Sequence, residues 1–253
     1  MFLKLMGAMP GYIYAQDKSG IYLNLFVGSK AQIQLAGRKV LLTQTTDYPW
    51  QGDVRIAVEP AKPSEFDLHI RIPGWCQGAS SPEDLYQPDN RPLKGAARLK
   101  VNGKTVENPA IVRGYAILHR RWKSGDVVQL TLDMPVQRVK ANGGVKAAKG
   151  RVALMRGPIV YCFEGTDNGG AVQNLVIPPE ARFVPKKQRN LLGGVAILEA
   201  TAIGVFKTGA NQLVSMPFRV TATPYYANAN RGTCQMQVWM AEQQDGSNPQ
   251  NQE

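Results

Sequence analysis

The sequence predicts an all-β protein that begins with a short helical segment. Most of the 253 residues form short β-prone runs separated by polar turns that contain Gly, Pro or Asn. Within single runs, apolar and polar residues alternate, as Phe66, Leu68 and Ile70 do with Asp67 and His69. Helix-favouring residues without β-branching concentrate at the N-terminus. Together these observations predict two β-sandwiches of the jelly-roll type, preceded by a helical stub.

Residues 1–9 are apolar and favour a helix, and Pro10-Gly11 is predicted to end it. We expect this segment to be the end of a helix that belongs to another domain. The alternative is an N-terminal arm packed on its own domain. The segment is much shorter than the roughly 20 apolar residues that span a bilayer, and it has no signal-peptide pattern, so no membrane partner is expected.

Residues 10–141 are predicted to form the first sandwich. Tyr12 to Ala15 and Ile21 to Phe26 flank a polar loop and indicate a hairpin. Asn102-Gly103 lies between two short runs and predicts a second hairpin with a type I′ turn. Tyr115 to Trp122 and Val127 to Leu132, joined by Lys123 to Asp126, predict a third. Further strands are expected at residues 31–35, 39–46, 54–59 and 66–72.

The second sandwich is predicted over residues 142–241, after a boundary at Ala141-Asn142-Gly143-Gly144. The last residues, 242–253, lack apolar side chains and predict a disordered tail. The strands predicted for the second sandwich are residues 151–155, 159–164, 195–205, 214–223 and 235–240.

Composition indicates a globular protein, with 43% hydrophobic and 19% charged residues. The net charge of +11 leaves an anionic partner open. However, the basic residues are scattered and are not interleaved with aromatic residues, so nucleic-acid binding is the disfavoured alternative.

No catalytic motif and no metal site can be assembled from the sequence. Cys76, Cys162 and Cys234 are widely spaced and match no zinc pattern, so we expect buried free thiols. His69 and His119 each lie within a predicted strand and are expected to face the surface. No catalytic residue, metal ligand or cofactor is therefore assigned.

Aromatic side chains give the only candidates for substrate binding. Tyr48 and Trp50, Trp75, and the pair Tyr225 and Tyr226 could stack on sugar rings. Their alternative role is to fill cores and domain interfaces. If they bind sugars, the chain is a free-standing carbohydrate-binding module, and a plant cell-wall glycan is the expected ligand.

Several short motifs occur in an order that resembles the C-terminal region of bacterial glycoside hydrolases of families 127 and 146, the β-L-arabinofuranosidases and their relatives. The resemblance covers residues 1–240 approximately. Its motifs are Tyr12-Ile13-Tyr14-Ala15, Asn24-Leu25-Phe26, Tyr48-Pro49-Trp50 with Gly52, Arg71-Ile72-Pro73-Gly74-Trp75, Gly114-Tyr115 with Arg120 and Trp122, Gly125-Asp126, Arg156-Gly157-Pro158-Ile159-Val160-Tyr161, and Asn230-Arg231-Gly232.

The resemblance implies an N-terminal (α/α)6 barrel that performs the hydrolysis, followed by β-sandwich domains. In such enzymes a cysteine nucleophile, held with a second cysteine and a glutamate around zinc, acts with a glutamate acid/base. None of those positions matches a residue here, because Cys76, Cys162 and Cys234 all lie in sandwich segments.

The expected function is therefore that of the non-catalytic β-sandwich portion of such a hydrolase, inactive alone. Its expected partner is the catalytic barrel, whose last helix would end in residues 1–9. These residues are otherwise expected to mediate self-association. The resemblance implies a bacterial source and leaves a periplasmic or cytoplasmic location open.

Overall fold

The computed structural model describes residues 2–78, 85–89, 96–210 and 212–243. The chain divides into two compact units. The first comprises Met1–Ala79 and Pro92–Met134, and the second comprises Ser80–Arg91 and Pro135–Glu253. Both units consist of β-strands, and helices occur at the N-terminus and as short 3-10 turns, which confirms the predicted all-β class with a helical stub.

The N-terminal arm contains helix α1 (Phe2–Ala8) and helix α2 (Pro10–Ile13). Helix α1 ends before Pro10-Gly11, as predicted, but a second helix begins at Pro10 where the sequence predicts a strand from Tyr12. Pro10 occupies the first turn of α2, where proline is tolerated because its missing N–H would have no helical acceptor. The Tyr12 amide donates to the Met9 carbonyl at 3.0 Å, so the helical turn continues to Ile13.

Twelve strands precede residue 133 among the described residues, and a 3-10 helix (Gly74–Gln77) follows the sixth. In chain order they are β1 (Tyr14–Gln16), β2 (Gly20–Leu23), β3 (Ser29–Leu35), β4 (Arg38–Thr46), β5 (Asp53–Pro60), β6 (Ser64–Arg71), β7 (Tyr86–Pro88), β8 (Ala97–Val101), β9 (Lys104–Thr105), β10 (Ile111–Val112), β11 (Tyr115–Trp122) and β12 (Asp126–Leu132).

The first unit is a sandwich of two sheets. Within the described chain one sheet has the order β1-β2-β6-β11-β10 and the other β3-β4-β5-β12-β8-β9. Ile21, Leu68 and Ile70 from the first sheet and Leu42 and Ile56 from the second are fully buried in one cluster. Burial of each such side chain contributes roughly 1.5–3 kcal/mol to stability. The shared core therefore holds the two sheets face to face.

Two of the three predicted hairpins are confirmed. Tyr14 pairs with Leu23, and the Asn102-Gly103 turn joins β8 and β9 with φ of 51° and 79°, as a type I′ turn requires. The third hairpin is wrong. β11 pairs with β6 and β12 pairs with β5 and β8, so the turn between β11 and β12 carries the chain from one sheet to the other.

The second unit contains nine further strands among its described residues, with 3-10 helices at Lys146–Ala148, Gly165–Asp167 and Tyr225–Ala227. They are β13 (Val136–Ala141), β14 (Arg151–Arg156), β15 (Ile159–Glu164), β16 (Leu175–Val176), β17 (Val184–Gln188), β18 (Val195–Lys207), β19 (Leu213–Pro224), β20 (Met236–Gln237) and β21 (Met240–Ala241).

The sheet of the second unit closes on itself. The pairings run β14-β15-β19-β18-β16-β21 and return to β14. Inside this circuit Leu154, Tyr161, Phe163 and Leu198 are at most 1% exposed. A closed sheet buries one face of every strand without needing a second sheet. The segment predicted as one strand over residues 235–240 forms the separate strands β20 and β21.

The division between the units lies earlier than the predicted boundary after residue 141. β13 pairs with β14 and β7, both within the second unit. At the other end, Glu242 of the predicted tail forms ion pairs with Arg138 at 2.7 Å and Lys140 at 3.2 Å. The rest of that tail, from residue 244, lies outside the described residues. In the described ranges, no helix has the length and apolarity needed to cross a membrane.

Candidate functional site

The outward side of the sheet β1-β2-β6-β11-β10 carries a connected group of aromatic and polar side chains. We call Tyr22, His69, Arg71 and Tyr115 the outer-face cluster. Strand register places them together, because Tyr22 pairs with His69 on β6, and Arg71 pairs with Tyr115 on β11. Their neighbours along each strand, such as Leu68 and Ile70, point into the core, so the alternation of β6 fixes which side chains face outward.

The cluster is packed through its rings. The Tyr22 ring lies parallel to the His69 ring, with centroids 3.9 Å apart, and meets the Tyr115 ring edge-on at 5.3 Å. The Arg71 guanidinium carbon is 5.3 Å from the centre of the Tyr115 ring. His69 is only 6% exposed, so the prediction that it faces the surface is wrong. Tyr22 covers it.

Hydrogen bonds connect the cluster to the N-terminal arm. The Tyr115 hydroxyl donates to Asn24 Oδ1 at 2.8 Å, and Asn24 Nδ2 donates to the carbonyl of Tyr12 at 3.2 Å. The Tyr22 hydroxyl donates to Asp17 Oδ2 at 2.8 Å, which raises the pKa of Tyr22. A surface formed by these groups therefore continues from the sheet onto helix α2.

His119 lies beyond this cluster on β11 and is held by two carboxylates. Its Nδ1 is 2.5 Å from Asp67 Oδ1, and its Nε2 is 3.0 Å from Glu65 Oε1. The hydrogen bond with Asp67, followed by that with Glu65, raises the pKa of His119. Its side chain is 65% exposed, as predicted for a histidine that faces the surface.

The helical arm presents apolar side chains to solvent. Leu3 is 84% exposed, Leu5 52%, Met6 51% and Tyr12 58%. The alternative prediction, an arm packed on its own domain, would have buried these side chains. An apolar group of this kind on a helix that covers no core is typical of a surface that meets another protein segment.

Two of the predicted sugar-stacking residues, Tyr48 and Trp75, are in contact within the first unit. Tyr48 packs edge-on against Phe26 at 5.6 Å, and Trp75 Nε1 donates to the Tyr48 hydroxyl at 3.4 Å. Trp75 is 6% exposed and Trp50 is half-buried. A Cβ at position 52 would lie 1.8 Å from the Leu132 carbonyl oxygen, which explains the glycine two residues after Trp50. Trp75 and Tyr48 are thus engaged in contacts within the protein.

Tyr225 and Tyr226 are placed differently. They form the 3-10 helix after β19 and are 49% and 58% exposed. Trp239, the other aromatic residue near the end of the chain, packs near Tyr86, with ring centroids 5.6 Å apart. Of the predicted aromatic candidates, this pair alone is exposed in the part of the chain that the structure describes.

The buried thiols are poor nucleophiles. Burial raises the pKa of Cys76 to about 12 and that of Cys162 to about 11, so both stay protonated at neutral pH. Cys234 is partly exposed, and its thiol donates to Glu164 Oε1 at 3.7 Å. Across the described ranges, no three His, Cys, Asp or Glu side chains are grouped so that they could hold a metal ion.

The sequence alone did not predict the outer-face cluster. It identified the polar face of β6 from the alternation of Asp67, His69 and Arg71, but it did not identify their partners on β2 and β11. β6 pairs with β2 in parallel across more than 40 positions of sequence, and no local pattern encodes that register. A search for Tyr and Arg on the polar faces of all strands would have selected Tyr22 and Tyr115.

Comparison with known proteins assigns the chain to a family. The family model "Beta-L-arabinofuranosidase, GH127 middle domain" matches residues 20–134, and the model "Glycoside hydrolase family 127 C-terminal domain" matches residues 136–241. The chain belongs to glycoside hydrolase family 127. The junction between the two family 127 models coincides with the division between the compact units at Met134 and Pro135.

Individual members of family 127 agree with this assignment. The non-reducing end β-L-arabinofuranosidase of Bifidobacterium longum subsp. longum is 28% identical over 255 residues, covering 93% of this chain and 35% of that enzyme. The structure of the GH127 β-arabinofuranosidase BT3674 matches with a TM-score of 0.90 and 38% identity, covering 95% of this chain and 37% of that one.

A second solved enzyme, the GH127 β-L-arabinofuranosidase Ara127N from Geobacillus stearothermophilus T6, matches with a TM-score of 0.84 and 38% identity over 96% of this chain and 36% of that one. The chain thus spans about a third of the length of the relatives it matches. The predicted resemblance to a β-L-arabinofuranosidase-like glycoside hydrolase is confirmed.

Proposed function

We propose that this chain is the non-catalytic β portion of a glycoside hydrolase that acts on L-arabinofuranosides, and that it supports a helical catalytic domain. The match to the middle and C-terminal domain models of family 127, nearly end to end, carries the proposal. The relatives are named β-L-arabinofuranosidases and are almost three times as long as the matched segment.

The chemistry of the described residues supports a structural role. Hydrolysis by a cysteine nucleophile needs an accessible thiolate, whereas burial keeps Cys76 and Cys162 protonated. The carboxylate of Glu164 is 1% exposed and is bonded to Arg231, Thr223 and the Ala229 amide. Such a carboxylate holds a loop in place and is not free to accept a substrate proton.

The helical arm and the outer-face cluster form the surface proposed to meet the catalytic domain. The arm offers Leu3, Leu5 and Met6 as apolar contacts, and the cluster offers Tyr22 and Tyr115 beside charged groups. A mixed surface of aromatic residues and Arg with an apolar centre is typical of interfaces. The occupant is the (α/α)6 barrel that the family resemblance implies.

A chimera tests this function directly. The C-terminal region of Ara127N that matches this chain is replaced by the present sequence, and hydrolysis of a nitrophenyl β-L-arabinofuranoside is measured. We expect an active, soluble chimera, because the two segments are 38% identical with a TM-score of 0.84. The chain alone should release no nitrophenol.

Two variants sharpen the experiment. Leu3→Ser with Met6→Ser in the chimera should lower its thermal stability and activity, whereas Leu213→Ser, at a similarly exposed position on β19, should change neither. Turnover by the chain alone that disappears in Cys76→Ser or Cys162→Ser would contradict the proposal. So would a chimera that is soluble and folded but inactive.

A further inference from the structure

Tyr225 and Tyr226 are exposed on a short loop of the second unit that the supporting role does not explain. They follow Pro224, the last residue of β19, and occupy the 3-10 helix Tyr225–Ala227. About half of each side chain is in solvent, at 49% and 58% exposure. Tyrosine in such a position presents a rigid apolar ring with a polar hydroxyl, and such residues are enriched in binding surfaces.

Tyr226 is partly exposed and partly buried. Partial burial raises the pKa of its phenol, although most of the residue is exposed. With 58% of the residue exposed, its ring can stack on the apolar face of a ligand.

A buried carboxylate fixes both ends of the loop. Glu164 Oε2 accepts from the Thr223 hydroxyl at 3.2 Å, just before the two tyrosines. Its other oxygen, Oε1, accepts from the Ala229 amide at 3.0 Å, just after them. Within the loop, the Asn228 amide donates to the Tyr225 carbonyl at 3.0 Å. The tyrosines are thus held before any ligand arrives, which reduces the entropy lost on binding.

The charge of Arg231, which follows the loop, is compensated by two carboxylates. Arg231 donates to Glu164 Oε2 and to Asp167 Oδ1, each at 2.7 Å, and Asp167 followed by Glu164 raises its pKa. With its guanidinium engaged by two carboxylates, Arg231 does not offer a site for a phosphate or a carboxylate ligand. The exposed or half-exposed amides Asn228 and Asn230 follow the tyrosines within a few residues. Aromatic rings with neutral amides match a neutral ligand rich in hydroxyl groups.

We propose that the Tyr225–Tyr226 loop is a binding site for a neutral oligosaccharide, in which the exposed rings stack on sugar faces and the neighbouring amides bind hydroxyl groups. This site is separate from the supporting role of the chain. The ligand expected first is a short L-arabinofuranosyl oligosaccharide, and this expectation alone rests on the proposed function.

Affinity electrophoresis of the intact chain tests the site, with gels that contain arabinan, xylan, a β-glucan or no glycan. We expect retention by at least one neutral glycan. Tyr225→Ala and Tyr226→Ala should each weaken retention about tenfold or more. The Phe variants at both positions should keep most of it, because stacking needs the ring and not the hydroxyl. Tyr12→Ala removes an equally exposed tyrosine from the first unit and should change nothing.

Retention by none of the glycans would overturn the proposal, as would retention that survives in the Tyr225→Ala, Tyr226→Ala double variant. Retention by xylan alone that both alanine variants abolish would support the site while contradicting the choice of arabinose. Circular dichroism of each variant separates lost binding from lost folding. The chimera experiment measures hydrolysis, whereas this experiment measures glycan retention. The two proposals can therefore fail independently.

Discussion

The ring of Tyr22 lies flat on the ring of His69, with 3.9 Å between centroids and 3° between planes. This contact keeps a histidine almost completely buried on the outward side of a sheet, where the opposite face already forms the core. The stack joins β2 to β6, which pair in parallel. It therefore stabilises a pairing that is distant in sequence, in addition to covering a polar ring.

Tyr22→Ala should lower the free energy of unfolding by about 2 kcal/mol, because two ring contacts, worth roughly 0.5–1.5 kcal/mol each, are lost and His69 is uncovered. Tyr22→Phe keeps both ring contacts and loses only the hydrogen bond to Asp17, so it should cost less than about 1 kcal/mol. Urea unfolding measures both. Tyr12→Ala serves as the control and should lie within about 0.5 kcal/mol of the wild type. Equal losses for Tyr22→Ala and Tyr12→Ala would refute the stacking argument.

Glu164→Gln should destabilise the second unit by roughly 2–4 kcal/mol, because it breaks a buried ion pair and leaves Arg231 with Asp167 alone. The same substitution at Glu199 is the matched control. Glu199 also pairs with an arginine, Arg219, but that arginine's side chain is 70% exposed, so the expected loss is below about 1 kcal/mol. Chemical denaturation followed by tryptophan fluorescence distinguishes them. A Glu199→Gln variant as unstable as Glu164→Gln would contradict the argument that burial makes the Glu164–Arg231 ion pair the more important one.

The same carboxylate predicts a pH dependence. Burial alone would raise the pKa of Glu164, but the Ala229 amide and Arg231 more than offset it, so its pKa lies below the usual 4.5. A lowered folded-state pKa gives stability that is present above about pH 4.5 and is lost as the pH falls through the folded value. The wild type should therefore lose stability below pH 4.5 more steeply than Glu164→Gln. Parallel pH profiles would count against this assignment.

His119 should behave in the opposite sense. Hydrogen bonds with Asp67 and Glu65 raise its pKa above the usual 6.5, so its contribution to stability is complete below that value and is lost as the pH rises through the folded-state pKa. NMR titration of the ring protons should show the raised value directly. Asp67→Asn should return it towards 6.5. A His119 pKa at or below 6.5 in the wild type would exclude the two-carboxylate clamp in solution.

Local patterns in the sequence predicted those parts of the fold that depend on neighbouring residues. Asn102-Gly103 specified a type I′ turn because both residues adopt positive φ at low cost. The alternation of Phe66, Leu68 and Ile70 specified the buried face of β6. The crossing from β11 to β12 could not be predicted in this way. It depends on contacts with distant residues, namely Trp122 Nε1 with the Phe66 carbonyl at 3.0 Å and Asp126 with the Asn102 side chain at 2.8 Å.

The candidate sites follow the same rule. Tyr225 and Tyr226 could be selected from sequence because they are adjacent, whereas their exposure depends on the Glu164 contacts some 60 positions earlier in the chain. Trp75 looked equally suitable for stacking, but it is buried against Tyr48. The same residue types, Trp and Tyr, serve in cores and in binding sites. Their exposure in the folded structure distinguishes the two roles.

Thiol labelling should follow burial and pKa. Raised pKa values of about 12 for Cys76 and about 11 for Cys162 leave their thiolate fractions at neutral pH on the order of 100-fold or more below that of an ordinary cysteine, whose pKa is near 8.5. Iodoacetamide should therefore modify the partly exposed Cys234 first in the folded chain. Mass spectrometry of timed samples gives the order. Denatured protein, in which all three react at similar rates, is the control, and early labelling of Cys76 would contradict the structure.

The last prediction concerns helix α1, whose apolar side chains contribute little to the fold of this chain. Leu3, Leu5 and Met6 are 84%, 52% and 51% exposed, so replacing all three with Ser should change the unfolding free energy of the first unit by less than about 1 kcal/mol. The same residues form the proposed contact with a catalytic domain, and in the isolated chain they remain uncovered. We therefore expect the isolated chain to self-associate through α1, and the triple variant to be less associated by light scattering at equal concentration.

Leu213→Ser with Val214→Ser removes a comparable exposed apolar pair from β19 and should leave association unchanged. A triple variant that stays monomeric but unfolds several kcal/mol more easily would place α1 in the core of the first unit instead. Association that responds only to the β19 variant would assign the contact to the second unit.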